Sequence, residues 1–118
     1  MPRATNSPAT RKRRKRILKQ ARGFRGGRSK LFRTAREAVD HAMQWSFIHR
    51  RQKKRTYRAL WITRISAGCK ANGINYSRFM QGLNKTGIKL NRKMLSEIAI
   101  HDPEGFASIV EQAKAQLG

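Results

Sequence analysis

Arg11, Lys12, Arg13, Arg14, Lys15, Arg16, Lys19, Arg22, Arg25, Arg28, Lys30 and Arg33 fall within a stretch of 23 residues that contains no acid. Side chains of this type and density do one kind of chemistry well. Each cation that meets a phosphate displaces a condensed counterion, and binding then weakens with salt by ~0.7–0.9 log units per contact. A second set follows at Arg50, Arg51, Lys54, Arg55 and Arg58. On a helix, Arg50, Lys54 and Arg58 share one face, extended by Arg51 and Arg55, and such a stripe tracks a phosphate groove. Arginine adds bidentate phosphate binding and stacking that lysine lacks. Phe24, Phe32, Trp45, Phe47 and Tyr57 sit among these charges. Aromatic rings in that setting either stack on unpaired bases or pack the helices together.

Other chemistries lack their residues. Catalysis needs a nucleophile beside a base, or clustered carboxylates. The six acids, Glu37, Asp40, Glu97, Asp102, Glu104 and Glu111, are scattered. Glu37 and Asp40 are spaced to pair with Arg33 or Arg36 on one helix. A metal ion lacks ligands, because Cys69 is the lone cysteine and His41 and His49 stand about two helical turns apart. His101 reads as the neighbour of a helix cap. Gly23, Gly26 and Gly27 match no phosphate-loop pattern, and suit close packing of backbone against a nucleic-acid groove. No enzyme activity, cofactor or small-molecule substrate is expected.

The totals agree. The 118 residues carry 28 Lys and Arg against 6 Asp and Glu, a formal charge of +22. That excess implies a polyanionic partner. A membrane surface is the weaker candidate: residues 11–30 offer only Ile17, Leu18 and Phe24 as an apolar face, and no run is long enough to span a bilayer. A single cysteine cannot form an internal disulfide, which points to a reducing, intracellular setting.

The elements that must position these cations are helical. Residues 1–10 read as an extended start. Thr10 is placed to cap a short helix over about 11–21, and the glycines at 23, 26 and 27 break it. From Ser29, a plausible cap, to Asn72 there is no proline and one glycine, and apolar residues recur at three- and four-residue steps. Such a helix reaches ~60 Å, beyond any core this chain can make, with Gly73 as its stop. Three short helices follow: 76–85 capped by Asn75 and ended by Gly87, 92–101 capped by Asn91, and one opened by Asp102 and Pro103. Cys69 reads as a small buried hydrophobe.

The expected architecture is therefore all-α, with a long basic N-terminal helical extension over 1–58 and a small C-terminal helical globular domain over 59–118. The first carries 20 basic and 2 acidic residues, the second 8 and 4. The core is expected from Leu60, Trp61, Ile65, Ile74, Phe79, Leu83, Ile88, Leu90, Leu95, Ile98, Phe106, Ile109, Val110 and Leu117. The extension, lacking a core, is expected to stay disordered or frayed until a partner neutralises it.

"KRTYRALWITRISAGCKANGINYSRFMQGL", residues 54–83, closely resembles the bacterial large-subunit ribosomal protein L-twenty family. The resemblance continues through "GFRGGRSKLFRTAREAV" upstream and through "GIKLNRKMLSEIAI" and "FASIVEQAKAQL" downstream, and covers essentially the whole chain. Cys69 stands where small residues such as alanine are common. The resemblance implies a structural constituent of the cytoplasmic ribosome. It implies an extension threaded into large-subunit ribosomal RNA, neighbouring ribosomal proteins, a part in early subunit assembly, and in some bacteria repression of the protein's own messenger RNA. Carried onto this chain, it makes Arg78, Lys85, Lys89, Arg92 and Lys93 the RNA contacts of the globular domain. Lys85 and Lys89 flank the turn at Gly87, and Arg92 and Lys93 open the next helix, where backbone amides face a phosphate. These four are expected at one corner. The alternative is a nucleoid-type DNA-binding protein, which shares the charge.

Overall fold

A computed structural model describes residue 3 and residues 5–118. Its elements are α1 (Ser7–Gln20), a 3-10 turn (Gly26–Arg28), α2 (Phe32–Ala71), α3 (Tyr76–Thr86), α4 (Arg92–His101) and α5 (Pro103–Ala115). Among the described residues there is no strand, and the chain is all-α as expected. It divides into two compact units, one ending at Arg51 and the other spanning Gln52–Gly118. Helix α2 contributes to both.

In the first unit, α1 opens at Ser7, inside the segment expected to be extended, and Thr10 lies within the helix rather than capping it. Pro8 accounts for the earlier start. Its fixed φ suits the first turn, where its missing N–H has no intrahelical partner to lose. Residues 1, 2 and 4 of the expected extended start lie outside the described residues. Ser29 does not cap α2. Its hydroxyl donates to the Gly26 carbonyl at 3.1 Å and closes the 3-10 turn. The Ala35 N–H donates to the Leu31 carbonyl at 2.8 Å, so α2 winds up from Leu31.

This unit also holds a small core that counting large apolar residues misses. Ala21, Ala35 and Val39 are buried, with Ile17, Leu18 and Phe24 packed against them. Two of the three are alanines, and they let the end of α1 approach the start of α2 closely. The cluster is thermodynamically slight. A buried valine stabilises by about 1.5–3 kcal/mol, whereas ordering each residue's backbone costs about 1–2 kcal/mol.

The second unit has the larger core. Ile65 and Cys69 of α2, Phe79 and Leu83 of α3, Leu95 of α4, and Phe106, Val110 and Ala113 of α5 are buried together. The Phe79 and Phe106 rings meet at 5.5 Å. Two glycines set how closely the helices pack. A Cβ on Gly82 would press into the Ala113 carbonyl oxygen, and one on Gly68 would come within 2.8 Å of the Phe106 ring. Leu60 is exposed and Trp61 and Leu117 are half-buried outside the cluster, against expectation. The α2 contribution begins at Ile65, and Trp61, four residues earlier, lies at the edge of that stripe.

The helix ends are closed by specific groups. Ile74 N–H donates to the Cys69 carbonyl at 3.0 Å and Gly73 N–H to Lys70 at 3.2 Å, with Gly73 at φ 70°. This pair of bonds ends α2 in a left-handed residue, as a Schellman motif does. Lys114 Nζ donates to the Asn72 carbonyl at 2.6 Å, placing a cation at the negative end of α2. Asn91 and Asp102 accept from the N–H groups of Met94 and Gly105, each at 2.9 Å, and so cap α4 and α5. The Asn75 side chain makes no capping bond; only its carbonyl serves α3, accepting from Phe79. Buried Ser96 Oγ has no hydrogen-bond partner among the described residues.

Candidate nucleic-acid interface

The cations singled out from the sequence are exposed, apart from half-buried Arg92. In the first unit, Arg11, Lys12, Arg13, Arg14, Lys15 and Arg16 are consecutive on α1. At about 3.6 residues per turn, six successive side chains point all round the helix. They form a collar rather than a face, and Lys19 extends it into the last turn. Arg22, Arg25, Arg28 and Lys30 surround the glycine turn, where Gly23 and Gly26 take φ 84° and 64°. Arg33 shares a shallow groove with Arg36, Glu37 and Asp40. Neither acid makes the expected ion pair among the described residues, where only Glu97 does, with Arg64 at 3.8 Å; His101 Nε2 lies 3.4 Å from the other Glu97 oxygen. Solvent screening removes most of the gain from closing such exposed pairs.

Several aromatic rings in this unit are engaged internally. Arg14 lies over the Phe32 ring at 5.0 Å and Arg51 over Phe47 at 4.1 Å, distances at which a guanidinium is drawn to a ring face. Trp45 is 46% exposed. Its Nε1–H donates to His41 Nε2 at 2.7 Å, and its ring tilts against His49 at 5.3 Å.

In the second unit, Lys54, Arg55 and Arg58 project from α2. Arg58, Trp61, Asn91, Arg92 and Lys93 line a hollow of about 270 Å³. The Asn91 side chain serves Met94 N–H, so the amides of Arg92 and Lys93 stay free at the positive end of α4. Arg92 is held in place: its Nε donates to the Tyr76 hydroxyl at 3.0 Å. Arg92 also borders a second hollow, of about 370 Å³, together with Lys89 and Gly87. The structure thus brings Lys89, Arg92 and Lys93 together and adds Arg58. Arg78 stands apart, in a hollow of about 480 Å³ shared with Lys114. Lys85, in the last turn of α3, lines none of these.

Two residues escaped the sequence reading. Tyr76, which orients Arg92, lies 16 positions away from it, with no local pattern to connect them. Lys114 reads in isolation as an ordinary last-turn cation. Trp61, expected in the core, is half-buried and lines this hollow with Arg58 and Arg92. Such a set can take a phosphate on its amides and cations and a base on its ring.

The sequence matches the family described as Ribosomal protein L20 over residues 3–109, a span that contains every cation above except Lys114. It is 54% identical over 117 residues to the large ribosomal subunit protein bL20 of Opitutus terrae, covering 99% of this chain and 92% of that protein. The protein of the same name from Methylacidiphilum infernorum is 56% identical over 114 residues, 97% of this chain and 95% of that one. That of Syntrophotalea carbinolica is 54% identical over 117 residues, 99% of each.

Proposed function

Since the chain belongs to the ribosomal protein L20 family, we propose that it is a structural constituent of the bacterial large ribosomal subunit that binds large-subunit ribosomal RNA in the cytoplasm and acts early in subunit assembly. Membership makes it a structural protein, not an enzyme. The near end-to-end match to large-subunit relatives carries the reading. The geometry supplies its physical form. The collar on α1 offers cations in every direction, which suits a helix surrounded by phosphates. The hollow beside Trp61 offers a preformed docking face on the unit with the larger core. That unit lands first, and the extension orders as RNA closes round it. Messenger RNA that folds to resemble the ribosomal site would meet the same faces, giving repression of the protein's own message.

The test is a gel-shift competition at moderate salt. Large-subunit RNA is expected to displace the protein from duplex DNA at far lower concentration than the reverse. Equal affinity for the two would favour a nucleoid-type protein. Co-sedimentation with the large subunit through a high-salt wash is the corresponding expectation in cell extracts.

A further inference from the structure

The glycine turn and the first turns of α2 border an open hollow of about 860 Å³, and one of its lining residues is an acid. We infer that this hollow receives an unpaired guanine base of the bound RNA, with Glu37 reading its Watson–Crick edge. The inference rests on the RNA-binding reading above and goes beyond it, from phosphate matching to the choice of a base.

Phe24 and Trp45 supply aromatic rings to its lining, and Arg25 and Arg28 supply cations from the turn. Glu37, His41 and Trp45 follow at four-residue steps on one side of α2, all lining the hollow. The volume lies within the range of small-molecule sites, about 300–1,000 Å³. Apart from Asp40, Glu37 is the only acid in residues 1–58, and no cation among the described residues neutralises it.

A carboxylate there works against phosphate binding, since like charges repel. It gains only where the partner presents N–H donors. Unpaired bases expose their Watson–Crick edges to such contacts. Guanine offers two parallel donors, N1–H and the N2 amino group, which match the two oxygens of a carboxylate; charge-assisted bidentate bonds of this kind are the strong ones. Adenine places its N1 lone pair against the carboxylate. Uracil flanks its one donor with carbonyl oxygens, and cytosine offers an amino group beside an acceptor. The Trp45 indole N–H is already given to His41, so the ring contributes its face and not a competing donor.

The test uses the full chain with Trp61→Phe, leaving Trp45 as the only indole, and the RNA pentamers UUGUU, UUAUU, UUCUU and UUUUU at about 0.15 M salt. Trp45 fluorescence is expected to be quenched by UUGUU, with affinity about tenfold above the other pentamers. Glu37→Gln should abolish that preference while UUUUU binds at least as tightly as before, since a charge that repels its phosphates is gone. Asp40→Asn, which removes the same charge outside the hollow, should preserve it. Equal binding of all four pentamers, a preference that survives Glu37→Gln, or no pentamer bound at all while large-subunit RNA binds normally would each overturn the pocket. Failure of the wild-type chain, with Trp61 in place, to bind large-subunit RNA would instead sink the function on which the pocket rests.

Discussion

Tyr76 holds Arg92 by accepting a hydrogen bond from its Nε at 3.0 Å, tying the first turn of α3 to the first turn of α4. The guanidinium keeps its Nη groups for a partner while its long stem is immobilised in advance. Ordering such a side chain on binding otherwise costs about 0.5–1.5 kcal/mol. Tyr76→Phe should therefore weaken binding to large-subunit RNA by about two- to tenfold with the salt dependence unchanged. Arg92→Ala should weaken it further and lower the salt slope by about 1. Filter binding across a salt series separates the two, and an unaltered affinity for both variants would remove this groove from the interface.

Gly82 faces the Ala113 backbone with no room for a methyl group. The obstacle is a carbonyl, not a flexible side-chain end, so the helices must part. Gly82→Ala should destabilise the protein by about 1–3 kcal/mol or more, measured by urea denaturation. A neutral result would mean that α3 and α5 are not in the contact described.

Ser96 is fully buried with an unpartnered hydroxyl. Burying a hydroxyl without a bond costs about 1–3 kcal/mol in protein interiors. Ser96→Ala should accordingly leave stability unchanged or raise the melting temperature, an unusual outcome for a core substitution. A clear loss of stability would reveal a partner for that oxygen.

Cys69 is buried, and burial pushes its thiol up from 9.0 to about 11. The folded state therefore holds the proton more tightly than the unfolded chain. This contribution to stability is complete below pH 9 and is lost as pH rises towards about 11. The wild-type protein should lose more stability than Cys69→Ala across that interval, and its thiol should resist aromatic disulfide reagents at pH 8 until denaturant is added. Immediate labelling of the native protein would contradict the burial.

Residues 59–118 retain every residue of the larger core cluster. That fragment should be helical and melt cooperatively alone. Residues 1–58, whose own cluster rests on two alanines and a valine, should show little helix by circular dichroism until RNA is added. A cooperative melt from the isolated extension would mean that its few apolar contacts suffice without phosphate.

Much of the helical layout could be read in advance because its signals are local. Asn91, Asp102 and Pro103 announce helix starts, and Gly73 and Gly87 announce stops, through backbone rules that act within one turn. Two starts differ from expectation: at Ser7, Pro8 is a stronger local signal than Thr10, and at Ser29 a 3-10 turn takes the hydroxyl that would have capped α2. The charge of the extension was plain from composition alone. The grouping of cations on the second unit was not, since it depends on which helices pack together. Arg58 and Arg92 meet one hollow from α2 and α4, while Arg78 lines another with Lys114. Ala35 and Ala113 fall on the apolar stripes of their helices, yet their small side chains do not announce a core, because their importance lies in the closeness they permit.

The ring of six cations on α1 is indifferent to spin. Turn that rod about its long axis and the electrostatics it shows to its surroundings scarcely change. Its orientation must then be set by its few greasy residues, Ile17, Leu18 and Ala21. Swapping any one lysine or arginine in the ring other than Arg14, which lies over Phe32, should be forgiven, whereas Ala21→Asp should leave the rod without a heading.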